Sequence, residues 1–167
     1  MPNWVDNKIT IETNNPLLID LLLKINNSYS DDVMPVFEVL RPIGEYDNER
    51  ACENWGCKWD ICNYLDINGE YGDNSYTLEI LGQTPWSFPD NLLSYLIDTF
   101  AKDDYFVRVR CVWLEEGGEW GEWENGDWVA SGMLSKKDLI SDTYASCLLQ
   151  PIFDIACQWE WLLDEDE

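Results

Sequence analysis

Six cysteines, 33 carboxylates and no histidine at all define the chemistry this chain could carry. Cys52, Cys57 and Cys62 recur every five residues. That spacing spreads them around a helix or alternates them across a strand, whereas zinc sites draw on closely spaced pairs. Without histidine or a Cys-x-x-Cys pair, iron–sulfur and redox readings have no ligand set, and the thiols are expected to pack as small hydrophobes. Nucleophilic catalysis lacks an imidazole base and a Gly-x-Ser-x-Gly turn, and Gly117-Gly118 has no Lys-Ser or Lys-Thr partner for phosphate. A carboxylate pair could do acid–base work, but 33 candidates single out none. The sequence therefore predicts no catalytic residue, no cofactor and no metal, and favours binding over catalysis.

Two constellations remain. The first runs from Trp113 to Trp128 and interleaves indoles with carboxylates, the opposite of the aromatic-plus-basic pattern that binds single-stranded nucleic acid. Its structural reading is a twisted hairpin turning at Asn125-Gly126, with tryptophans covering the sheet. Its functional reading makes Trp120 and Trp123 exposed anchors inside an acidic rim of Glu115, Glu116, Glu119, Glu122, Glu124 and Asp127 that docks a basic partner. The second constellation is Asn54, Trp55, Lys58, Trp59 and Asp60, joined by Trp86, which either locks a turn or lines a small-molecule pocket.

The charge decides which partners are admissible. Ten Lys and Arg against 33 Asp and Glu give a formal charge of -23. The cations, from Lys8 to Lys137, are scattered, so nucleic acid and anionic membranes would be repelled and a cationic protein surface is the natural counterpart. Solubility is the plainer account of the same charge. With 46% hydrophobic and 14% aromatic residues the chain folds, and 167 residues suit one domain. The opening Met-Pro-Asn-Trp-Val-Asp carries no basic n-region or long apolar run, and no stretch approaches membrane-helix length, so a cytoplasmic protein with reduced thiols is expected.

The elements that must position these residues follow from periodicity. Trp4 to Thr13 alternates as a strand, and Asn15-Pro16 opens a helix carrying Leu17, Leu18, Leu21, Leu22 and Ile25. Phe37–Leu40, Lys58–Ile67 and Tyr76–Leu81 are expected as strands. A capping-box-like Ser87 to Asp90 opens a helix with Leu92, Leu93, Leu96, Ile97 and Phe100 in a stripe. Tyr105 to Leu114 is a strand with Val107, Val109, Cys111 and Trp113 on one face, and Arg108 and Arg110 facing carboxylates on the other. Ile152, Ile155, Ala156, Trp159, Leu162 and Leu163 predict a terminal helix, with an acidic tail from Asp164 to Glu167. The expected fold is α+β: a ferredoxin-like βαββαβ sandwich over residues 1–128 with an added Trp-rich hairpin, and a C-terminal extension over 129–167.

The segments Met-Pro-Asn-Trp-Val-Asp-Asn, Asn54-Trp55-Gly56-Cys57-Lys58-Trp59 and Thr84-Pro85-Trp86-Ser87-Phe88-Pro89 resemble the YubB ferredoxin-like domain family. Within the family blocks, Cys57 replaces a threonine, and Pro85 and Phe88 also differ. The resemblance implies the fold and a phage, plasmid or pathogenicity-island setting, so the host cytoplasm; it implies no catalytic residues. Together these features predict an acidic phage or mobile-element protein that inhibits a host nucleic-acid-binding or defence protein by DNA mimicry or surface occlusion. A small-molecule pocket or enzyme near Trp55 and Lys58, and a homodimer or other homo-oligomeric accessory protein buried through Trp159 and Trp161, are the alternatives.

Overall fold

The computed structural model describes residues 3–28, 35–133 and 148–150, with the backbone alone at Tyr64. The elements are β1 (Trp4–Thr13), α1 (Pro16–Ser28), α2 (Val36–Leu40), α3 (Asn48–Trp55), β2 (Cys62–Tyr71), β3 (Tyr76–Pro85), α4 (Asp90–Phe100), β4 (Val107–Glu115), β5 (Glu119–Glu124) and β6 (Asp127–Met133). The strands form one antiparallel sheet in the order β2-β3-β1-β4-β5-β6. The protein is therefore mixed α and β, and the six strands among the described residues already exceed the four of the expected sandwich. The Trp-rich hairpin is not an appendage, because β5 and β6 pair onto β4 and extend the sheet. β6 also runs across the expected 128/129 boundary.

Register explains the core. Ile9 pairs with both Ile80 and Cys111, which puts these side chains on the same face, together with Val5, Ile11, Leu78 and Val109. Helix residues Leu18, Leu22, Ile25, Phe37, Leu92, Leu93 and Leu96 join them in one buried cluster. At about 25 cal/mol per Å² of apolar surface, this face is the main source of stability. The opposite face is not bare: Leu81, Val112, Leu114 and Trp120 are buried outside that cluster, as is Leu149 in the helical residues 148–150.

Local chemistry accounts for the elements that match expectation. Asn15 Oδ1 accepts from the backbone of Leu17 and Leu18 and starts α1. Asn125 and Gly126 both adopt positive φ, at 52° and 100°, as a two-residue turn between twisted strands requires. Arg108 pairs with Glu12 at 3.3 Å and Arg110 with Glu122 at 2.7 Å.

Two expectations are corrected, and one further helix appears. Phe37–Leu40 lies in the helix α2, because the Asp60 carboxylate accepts from the first amides of that turn, Phe37 and Glu38, from 22 residues or more along the chain. A short apolar run cannot distinguish helix from strand, and here a distant cap decides. Helix α3 was not anticipated; Asp47 caps it and Gly56 ends it. Ser87 does not cap α4, which has no side-chain cap, because its hydroxyl donates instead to the Gly56 carbonyl. The expected terminal helix and acidic tail, with Trp159 and Trp161, lie outside the described residues.

Gly56 sits at φ 90°, and a Cβ there would collide with Asp90 Oδ1 and press on the backbone amides of Asp90 and Asn91. Gly56→Ala is therefore expected to lower stability by about 2 kcal/mol or more, read from urea unfolding. An unchanged midpoint would refute this account of the α3–α4 contact.

Candidate functional site

Helix α3 ends against the start of α4, and side chains from elsewhere satisfy its last carbonyls. Asn91 Nδ2 donates to Cys52 and Glu53 at 3.2 Å each, and Arg41 Nη1 donates to Asn54 at 2.6 Å. Ser87 donates to the Gly56 carbonyl. The same turn is tied to β1: Thr84 Oγ1 donates to the Ser87 carbonyl at 2.7 Å and accepts from Asn7 Nδ2 at 2.8 Å. The two sequence blocks around Trp55 and Trp86 thus meet through hydrogen bonds that hold the β3–α4 turn.

That turn presents Trp86. Its backbone lies in the left-handed region at φ 72°, which a bulky side chain rarely adopts, and its ring is 50% exposed. Its amide donates to the Asn3 carbonyl at 2.8 Å, and Lys58 Nζ sits 5.0 Å from the ring centroid. Beside Trp86 opens a cavity of about 230 Å³, walled by Phe88, Trp113 and Trp128 and edged by Glu115 and Glu119. Phe88 stacks on Trp113 at 5.7 Å with only 3° between the planes, and Trp128 meets both rings edge-on. The Trp113 indole lies over Gly121, where a Cβ would come within 2.8 Å of its Nε1. Packed against the strand, that N–H has no acceptor among the described residues. Asn3 Nδ2 donates to Glu115 Oε1 at 3.0 Å and holds the carboxylate in place.

The expected docking residues divide. Trp120 and Trp123 are not exposed anchors: they are 6% and 4% exposed, on opposite faces of β5, because the hairpin is part of the sheet. Glu122 is buried too, and its carboxylate accepts from Arg110 Nε at 2.8 Å. Glu119, Glu124 and Asp127 are exposed, and Glu115 and Glu116 are partly so. The exposed indole of the hairpin is Trp128, at 60%, on β6, the outermost strand among the described residues, where Val129 and Met133 are exposed too. Sequence reading passed over Trp128 because period-2 alternation does not reveal which strand lies at an edge.

The expected pocket also divides. Asn54 donates to the Arg50 carbonyl inside α3, and Trp55 is buried with its Nε1 on the Arg41 carbonyl, so both are structural. Trp55, Trp59 and Asp60 do border a second cavity of about 370 Å³, with Glu38, Ile43 and Tyr46. Lys58 and Trp86 are not on it. Burial raises the Asp60 pKa to about 6, against the opposing pull of the Phe37 and Glu38 amides. Those amides engage both of its oxygens, which makes it a cap more than a free acid. Burial likewise pushes the Cys57 and Cys111 thiols up, so neither is a thiolate near neutral pH.

No family model, curated protein or solved structure matches this chain. No group of three or more metal-ligating side chains occurs among the described residues, and no described helix is long and apolar enough to cross a membrane.

Two outcomes follow. At position 86 a glycine adopts positive φ freely, so Trp86→Gly should be more stable than Trp86→Ala by about 1 kcal/mol in urea unfolding; the reverse order would show that φ is not strained. The raised Asp60 pKa means the folded state holds a proton that the unfolded state has lost between pH 3.8 and about 6, so its contribution is present at low pH and lost as pH rises through that window. Asp60→Asn cannot lose it. The stability of the variant relative to the parent should therefore rise by about 2 kcal/mol between about pH 4 and about pH 7, and parallel pH profiles would contradict this.

Proposed function

We propose that this chain is an acidic, non-enzymatic interaction module on a ferredoxin-like core, which occludes a basic protein surface through the cavity that Trp86 and Trp128 border. The order β2-β3-β1-β4, with helical crossovers from β1 to β2 and from β3 to β4, supports the core assignment. One observation carries the docking site: two half-exposed indoles, one of them on left-handed backbone, flank a cavity edged by Glu115 and Glu119. Exposed apolar surface inside an acidic rim is the composition of an interface centre, and backbone strain concentrates where function requires it.

Internal pairing does not cancel the charge. Even if every one of the 10 cations were paired, 33 carboxylates would leave 23 over. Among the described residues three ion pairs form, made by Lys8, Arg108 and Arg110. Exposed acids stand at both ends of the sheet: Glu70, Asp73, Glu124 and Asp127 at one, Glu119 at the other. That spread favours local occlusion over imitation of a continuous phosphate track. The long-range field speeds encounter with a basic partner, and the indoles hold it. A host nucleic-acid-binding or defence protein in the cytoplasm is the partner this reading favours, and the mobile-element setting rests on the YubB resemblance alone.

The second cavity, about 370 Å³ beside Trp55 and Trp59, supports a different reading as a small-molecule site. Capture experiments separate the two. Immobilised protein should retain basic proteins from bacterial lysate at low ionic strength and release them at high salt, and a Trp86→Ala, Trp128→Ala double variant should retain at least about tenfold less. Equal retention by the parent and the variant, or none by either, would overturn the proposal.

A further inference from the structure

The cavity beside Trp86 is more selective than a negative patch. We infer that it is a socket for one arginine side chain of the partner, its guanidinium plane against the indoles and its N–H groups on Glu115 and Glu119; this rests on the docking reading above.

Size, wall chemistry and charge converge on that ligand. About 230 Å³ falls below the roughly 300–1,000 Å³ of typical small-molecule sites, and suits a single side chain. The walls are aromatic, and Trp86 and Trp128 are half exposed, so a cation that enters can meet an indole face, whose negative quadrupole is the strongest among the aromatic side chains. The Phe88–Trp113 stack and the two edge contacts of Trp128 hold three of these rings in fixed relation, so little order is lost when a ligand enters. An anion would meet two carboxylates; a neutral group would leave both without a counterpart.

Within the molecule, cations already sit on exposed or partly buried rings: Lys58 on Trp86 at 5.0 Å, Arg41 on Tyr95 at 4.4 Å and Arg108 on Phe106 at 4.8 Å. Lys58 is not among the residues lining the cavity, so its contact with Trp86 does not occupy the socket. Guanidinium fits better than ammonium for two reasons. It is planar and weakly hydrated, so it can lie flat on an indole, and its donors form a fork that can reach two carboxylates together. Asn3 fixes one oxygen of Glu115, and Oε2 has no partner among the described residues.

The test uses the full chain and pentapeptides with arginine, lysine or citrulline between glycines, followed through the indole N–H signals in NMR titrations. The arginine peptide is expected to shift the Trp86, Trp113 and Trp128 signals first. The lysine peptide should bind at least about threefold more weakly, and the uncharged citrulline peptide should leave the signals in place. Glu115→Gln should weaken arginine binding about tenfold, and Glu124→Gln, off the cavity, should leave it unchanged. Equal affinity for arginine and lysine, or equal loss in the two glutamine variants, would reduce the effect to counterion attraction and overturn the socket. If the arginine peptide misses these indoles while the Trp86 and Trp128 variant still loses basic proteins, the socket is wrong and the docking reading stands. If it seats there and no basic protein is retained, the docking reading falls and the socket stands.

Discussion

A helix leaves its last carbonyls without partners in its own ladder, and a carbonyl that stays unsatisfied as it is covered costs about 1–3 kcal/mol. At the end of α3 these groups accept from Asn91, Arg41 and Ser87, all of which come from outside the helix. Gly56 makes the approach possible, since its lack of a Cβ lets the start of α4 close onto the helix end. Because Ser87 is also tied through Thr84 to Asn7 in β1, the β3–α4 turn cannot move without breaking bonds on two elements. Trp86 follows from that constraint. It stands at positive φ because the residues on either side of it are already held.

The sheet supplies the other half of the site. Extending β4 by β5 and β6 places Trp128 edge-on to Phe88 and Trp113, and brings Glu115 and Glu119 to the rim beside Trp86. The hairpin buries Trp123 in the main core and Trp120 on the reverse face. Its tryptophans thus serve two ends: most stabilise the sheet, and one stays at the edge. The carboxylates divide in the same way, with Glu122 paired to Arg110 and Glu119 left in solvent.

Charge and geometry act at different ranges. A surplus of 23 negative charges produces a field that is felt at about a Debye length, roughly 8–10 Å in physiological salt. In the docking we propose, that field would select the sign of a partner and contact at the cavity would select its shape. Affinity would then reside in a few desolvated aromatic contacts, and the charge would govern encounter and salt dependence.

Much of this was legible in the sequence. Alternation in Trp4–Thr13 and Tyr105–Leu114, the Asn15-Pro16 helix start, the leucine stripe of α4 and the Asn125-Gly126 turn are local signals, and they read correctly because each depends on neighbours within a few residues. The surplus of negative charge is legible too, since no fold can pair 33 acids with 10 bases. Tertiary structure decided the rest. Asp60 made Phe37–Leu40 part of a helix from a distance, Ser87 left its expected cap for Gly56, and the sheet order, not the hairpin sequence, buried Trp120 and Trp123 and left Trp128 exposed. Sequence periodicity reports which face a side chain takes within its own element. Which element covers that face, and which group satisfies a helix end, depends on residues brought together only when the chain closes on itself.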